Sequence, residues 1–244
     1  MKFLKPQLLP LYTLVAGVLG FLLRLLLNRT GIDEKGLLIA DHYAGTLLLI
    51  LTAIVLAVLF LGCRKLQNVD RYSAMFPASF IGFIGCILAA AGILYVGIDD
   101  LIAQQDKFSV VVGSIAIVCA VCLVVLGIYR KQGRQPGYLL HAGLTVFLMI
   151  QLISEYRYWS PEPQLLLYFF PLMATVFLML TAYQATCLDA GKGSRRWYVF
   201  ANLAAVFFCC VSLPGDHWMF YLSMVLWAST NICSLQSFKN RKEA

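Results

Sequence analysis

Asp41-His-Tyr-Ala-Gly-Thr-Leu-Leu-Leu-Ile-Leu-Thr-Ala-Ile-Val-Leu-Ala-Val-Leu-Phe-Leu-Gly-Cys63 opens with an acid and a histidine and then carries no charge. The run is apolar all round, so it has no polar stripe with which a helix could lie on a water-soluble core. A helix needs about 20 such residues to cross a hydrocarbon core roughly 30 Å thick. This stretch is therefore read as a membrane span, and working outward from it finds seven more. They run from Gln7 to Leu27, Phe76 to Ile98, Phe108 to Tyr129, Gly137 to Tyr156, Gln164 to Cys187, Trp197 to Leu213 and Asp216 to Leu235. The narrowest break is Pro214-Gly215, read as a tight turn between two helices.

Composition agrees. Apolar residues make up 61% of the 244 and charged residues 13%, against roughly 45–50% and about 25% in soluble domains. A soluble globule is excluded, and a disordered chain would need far more charge. Nineteen lysines and arginines divided among greasy segments make no continuous basic stripe, so no nucleic-acid partner is expected. Unbroken Leu, Ile and Val runs lack the alternation of a membrane β-barrel. Lys2 and Lys5 precede the first span as in a signal peptide, but its length, Arg24 and the lack of a small-residue cleavage site favour a retained helix. The expected architecture is all-α: a polytopic transmembrane bundle of about eight spans in one domain, residues 1–244.

Charge gives the orientation. Fourteen of the nineteen basic residues fall in the N-terminus, the second, fourth and sixth loops and the C-terminal tail; Arg24, Arg29, Lys35, Lys107 and Arg157 fall on the other side. By the positive-inside rule both termini are cytoplasmic. The net charge of +7 then reflects topology and contact with anionic inner-leaflet lipid. Tyr72, Tyr129, Tyr138, Tyr183, Trp197 and Tyr198 at inner boundaries, and Tyr43, Tyr95, Tyr156, Tyr158, Trp159 and Trp218 at outer ones, read as interfacial belts.

Apart from the acids and histidines at the very ends of the spans, Arg24 and His141 are the charged or histidine residues inside a span, each about one turn from a helix end and able to reach an interface. Ion-coupled carriers place acids, His or Lys at bilayer depth, and a retinal protein needs a lysine in a late helix; neither pattern is present. Acids instead collect outside: nine of twelve, including Asp41, Asp99, Asp100, Glu155 and Asp216, with His42 and His217 beside them. Asp41 and Asp216 start helices, where a carboxylate caps free N–H groups. Asp99, Asp100 and Glu155 sit at helix C-terminal ends, where the dipole disfavours negative charge. That misfit predicts a pairing of one of them with Arg24, either to fix helix register or to bind a ligand. Glu155-Tyr-Arg157-Tyr-Trp159-Ser-Pro-Glu-Pro-Gln164 joins charge, aromatic rings and two prolines. It suits stacking on a small polar ligand or anchoring a helix end at the headgroups.

The pairs Asp41-His42 and Asp216-His217 could supply metal ligands by type, but adjacent helical residues point about 100° apart and no H-x-x-x-H or H-E-x-x-H occurs. No metal or cofactor is expected. Five of the eight cysteines lie within spans and none in an outer loop, and Cys119-x-x-Cys122 reads as packing rather than redox chemistry. The third span carries Ala78, Gly82, Gly85, Cys86, Ala89, Ala90, Gly92 and Gly97, a small-residue stripe that predicts a central helix crossed closely by neighbours. Pro171 predicts a freed carbonyl within the sixth span, with Thr175, Ser114 or Asn202 as candidate polar partners.

Trp159-Ser-Pro-Glu-Pro-Gln164, Phe170-Pro-Leu-Met-Ala174, Cys187-Leu-Asp-Ala-Gly191 with Arg195-Arg196, and Ile32-Asp-Glu-Lys-Gly-Leu-Leu38 carry a resemblance to uncharacterised multi-span membrane proteins of anaerobic gut Firmicutes. The resemblance implies a bacterial plasma-membrane address and no particular activity. The residues favour a binding or sensing module, or a subunit of a transport or signalling assembly, with an outward polar cluster. That cluster is Arg24, Asp41, His42, Asp99, Asp100, Glu155, Arg157, Trp159, Asp216 and His217. Its partners would be the lipid bilayer, a small-molecule ligand and another protein or a second copy. The alternatives are a small-solute transporter, needing a polar path through Gln151, Thr175, Gln184 and Asn202, and a membrane-embedded metal-dependent hydrolase, needing His42 and His217 to converge on a carboxylate.

Overall fold

The structure, a computed structural model, describes residues 8–31, 42–66, 72–103, 107–159 and 165–235. Among these, helices form at α1 (Leu9–Thr30), α2 (Tyr43–Cys63), α3 (Tyr72–Met75), α4 (Phe80–Ala103), α5 (Lys107–Gln132), α6 (Tyr138–Trp159), α7 (Leu165–Asp189), α8 (Arg195–Ser212) and α9 (Trp218–Cys233). Each expected span corresponds to one long helix; the four-residue α3 is the one addition. Gly133, φ +67°, ends α5 in a left-handed turn that a side chain would strain.

Six helices, α1, α2, α4, α5, α6 and α7, are long and apolar enough to cross a membrane. Their outward faces are greasy: Leu11, Val15, Val18, Ile50, Ile54, Ile81, Val118 and Val121 are all exposed. Aqueous solvent does not tolerate an apolar surface of that extent. The remaining two are shorter. At about 1.5 Å per residue, the 18 residues of α8 span about 27 Å and the 16 of α9 about 24 Å.

The reason α8 is exempt from bilayer length is its position. It packs on α1, α2, α7 and α9, and every residue from Ala201 to Ser212 is buried. The expectation that the third span occupies the centre is thus corrected: α4 lies between α5 and α9, and α8 is the surrounded helix. Apolar burial drives little association inside lipid, so close van der Waals fit must hold the bundle. The predicted small stripe does supply that fit. A Cβ on Gly85 would strike Thr230, one on Gly92 would strike Ser223, and one on Gly97 would strike Ala116. On α1, Gly17 and Gly20 bring that helix against Cys210 and Val211 of α8. Phe170, Phe177 and Phe208 fill the α7–α8 seam, the last two stacked with ring centres 5.2 Å apart.

Cross-links between loops sort the helix ends into two sets. At one, Arg196 Nε donates to Leu66 O at 2.7 Å and Gln135 Nε2 to Asp189 O at 2.9 Å, joining the ends of α2, α5, α7 and α8. At the other, Asn28 Nδ2 donates to Pro214 O at 3.1 Å and Thr30 lies 3.4 Å from His42, joining α1, α2 and the α8–α9 turn. Among the described residues the first set carries Arg64, Lys65, Arg134, Lys192, Arg195 and Arg196 with Asp189, and the second carries Asp216.

The N-caps of α2 and α9 are histidines rather than the acids before them. His42 occupies the N-cap of α2, its Nδ1 accepting from Ala44 N at 3.3 Å; Asp41 lies outside the described residues. α9 begins at Trp218 with His217 at the N-cap, and Asp216 is exposed in the turn. The tight Pro214-Gly215 turn uses one more residue before α9 begins than a cap at Asp216 requires. Pro171 sits in the first third of a continuous α7. Thr175 turns to Glu155 and to Pro171 O, Ser114 to Val110 O, while the Asn202 amide has no hydrogen-bond partner among the described residues.

Candidate functional site

Among the described residues the acidic end of the bundle buries one carboxylate. Glu155 projects from α6 toward α7, where Thr175 Oγ1 lies 3.1 Å from its Oε2 and Gln151 Nε2 lies 3.4 Å from its Oε1. Thr175 has one proton, shared with Pro171 O at 3.2 Å, so the carboxylate is less than fully served. Asp100, Tyr221 of α9 and Cys209 of α8 are within electrostatic reach of the same acid. His217 is within electrostatic reach of Asp100.

The other sequence candidates disperse. Asp99, Arg157 and Asp216 are exposed, with Arg157 lying 4.9 Å from the Phe108 ring centre. His42 is engaged at the α1–α2 junction. Asp41 and the Trp159 side chain lie outside the described residues. Arg24 does not snorkel outward: it is buried, 5.4 Å from the centre of the Phe170 ring. Its expected ion pair with Asp99, Asp100 or Glu155 does not form among the described residues. α1 buries Leu9, Thr13, Gly17, Gly20, Arg24 and Leu27 on one stripe, and that stripe faces α8 and the start of α7 rather than the end of α6.

The basic end holds a larger buried polar cluster, and sequence reasoning missed it. Arg130, counted above as a loop charge, belongs to α5 and is 4% exposed. Its Nε donates to Tyr72 Oη at 3.1 Å, its Nη1 to Ser234 Oγ at 3.0 Å, and its guanidinium carbon lies 3.9 Å from the Phe76 ring centre. Tyr198 of α8 faces it, and His141 of α6, with its ring centre 5.4 Å from that of Tyr72, is within its field. His141 is thus buried inside the bundle rather than placed at an interface. Burial pushes the Tyr72 phenol up, with Arg130 acting in the opposite sense, so Tyr72 stands as a neutral partner.

Several polar atoms at this end lack hydrogen-bond partners among the described residues, namely both ring nitrogens of His141 and both amide atoms of Asn231, while the Tyr198 hydroxyl lies beside Arg130 and the Trp227 indole N–H beside Cys86. Asp189, near Tyr72, also leaves both carboxylate oxygens without a hydrogen-bond partner. Unserved polar atoms at this depth are costly, which makes this cluster a second candidate site. Helical phase was the signal that could have found Arg130. It continues the buried row Ala116, Leu123 and Gly127, whereas Lys131 is turned out.

Among the described residues no group of three or more His, Cys, Asp or Glu side chains could hold a metal ion. All eight cysteines are free, and seven of them are not exposed. The chain is an integral membrane protein of the helical-bundle class, as its buried polar ends and apolar waist define. Comparison with known proteins finds no matching family model, curated sequence or solved structure, so this class rests on the chain's own features.

Proposed function

We propose that this protein is a membrane-embedded binding module whose acidic end receives a small ligand carrying a cationic or strongly donating group. The supporting observation is Glu155: a buried carboxylate with a second acid, Asp100, nearby and only neutral donors bonded to it among the described residues. Two acids brought together in a poorly solvated place favour a cation or proton between them. Intramembrane acids of this kind mark binding sites and pathways more often than scaffolding. With the basic loops cytoplasmic, this end faces outward from a bacterial plasma membrane.

The test is thermal unfolding of the detergent-purified protein with small primary amines, from methylamine to putrescine. At least one amine should raise the Tm by several degrees in the wild type and have no effect on Glu155→Gln, while Asp216→Asn keeps the response. No response in the wild type, or an equal one in Glu155→Gln, would overturn the reading.

A transporter is the second reading, and Asn202 favours it. Tyr198, Asn202 and Cys209 share one face of α8 by their spacing of four and seven. Tyr198 faces the basic-end cluster and Cys209 faces Glu155. The unpartnered Asn202 amide stands between them. Uptake of the stabilising amine into proteoliposomes, lost in Asn202→Leu, would select transport over binding alone.

A further inference from the structure

We infer that the basic-end cluster around Arg130 is a binding site for a phosphoryl group. An almost fully buried guanidinium needs a counter-charge or an unusually complete set of acceptors to offset its lost hydration. Here its bonded neighbours are two neutral hydroxyls and a phenyl ring. No ion pair to a carboxylate is present for Arg130 among the described residues, and these hydroxyls take two of its five N–H groups.

The surroundings are rich in donors. The Asn231 amide and the His141 ring can each donate and have no partner among the described residues, the Tyr198 hydroxyl lies beside Arg130, and each of these residues is less than one-tenth exposed. Together with Arg130 these groups come from four elements, α5, α6, α8 and α9, and so approach one region from several directions. A tetrahedral oxyanion is the ligand that uses such a convergence, and arginine is the side chain best matched to it. Among the described residues Asp189 is the acid near the cluster; it acts on Tyr72 and is not among the groups acting on Arg130.

Depth suits an anion arriving from the basic side. α5 has 26 residues and Arg130 is two residues before its end. At about 1.5 Å per residue, such a helix overruns a roughly 30 Å hydrocarbon core, which leaves Arg130 at the level of lipid headgroups. The phosphoryl group can therefore belong to a free phosphate compound or to an anionic lipid.

The experiment is thermal unfolding in a nonionic detergent with two matched comparisons. Inorganic phosphate is set against potassium chloride of equal ionic strength, and oleoyl lysophosphatidic acid against monoolein. A phosphate-bearing probe should raise the Tm where its match does not. The apparent affinity should fall at least tenfold in Tyr198→Phe and be lost in Arg130→Gln. Because Arg130→Gln could fail to fold, Tyr198→Phe and His141→Gln carry the decision, since each keeps the core volume. A response to inorganic phosphate assigns the site to free phosphate compounds, and a response to the lysolipid alone assigns it to lipid. If neither probe exceeds its match, or the shift is unchanged in both Tyr198→Phe and His141→Gln, the inference falls. Glu155→Gln should leave the phosphate response intact, which separates this site from the acidic one.

Discussion

The guanidinium carbon of Arg130, near the end of α5, lies 3.9 Å from the centre of the Phe76 ring in the α3–α4 connection. The connection is otherwise tied to α5 by Ser79 N donating to Arg130 O at 3.1 Å. One residue thus holds the connection through both its backbone and its charge, and the strength of that hold can be measured.

A desolvated cation–π contact is worth about 2 kcal/mol. Phe76→Leu should lower stability by at least that amount, as read by denaturant unfolding in detergent. In an Arg130→Met background the same exchange should cost about 1–2 kcal/mol less, the difference being the coupling between the pair. Equal costs in the two backgrounds would show that Phe76 acts only as a packing residue.

The α4–α9 crossing depends on absent side chains. Gly92→Ala forces a methyl group onto Ser223, and overpacking of this kind costs typically about 1–3 kcal/mol. Ser223→Ala should recover part of the loss by making room. Gly137→Ala, with nothing within 4 Å of the added carbon, should be close to neutral in the same unfolding assay.

Thr175 is the hydroxyl shared between Glu155 and Pro171 O. Thr175→Val keeps the shape and removes the donor, leaving a buried acceptor unserved at a cost of about 1–3 kcal/mol. Thr175→Ser should restore most of the stability. Retention of full stability by the valine variant would mean that another group serves Glu155.

Orientation is testable without ligands. A fluorescent reporter fused after Ala244 should fold and fluoresce in the cytoplasm, and alkaline phosphatase fused there should stay inactive. The same phosphatase inserted after Gly215, at the acidic end of α8, should be active. The reverse pattern would refute the charge-based topology.

Much of this fold was legible in the chain. Runs such as Tyr43–Cys63 leave no polar face, so their helicity and their membrane partner follow from composition without any tertiary contact. The small residues of α4 announced a close crossing for the same local reason, since only absent side chains let backbones approach. Arg24 was legible in part. It lies in register with Gly17 and Gly20, and that phase points it inward, while its partner ring on α7 is 146 residues away and carries no local signal.

The candidate sites divide along the same line. Glu155 stood out because a carboxylate near a helix C-terminus is misplaced by dipole energetics, a property of the sequence alone. Arg130 and His141 looked like ordinary interfacial charge because hydropathy and loop counting are one-dimensional. Their burial comes from α3, α8 and α9 closing over the end of α5, and Tyr72, Tyr198 and Ser234 meet there from positions 58, 68 and 104 residues distant. Length and hydropathy made this chain a helical membrane protein and sorted its charge by side. The choice of α8 as the buried helix, and of Arg130 rather than Lys131 as the inward cation, required helices to pack, because burial is a property of neighbours that a linear chain does not contain.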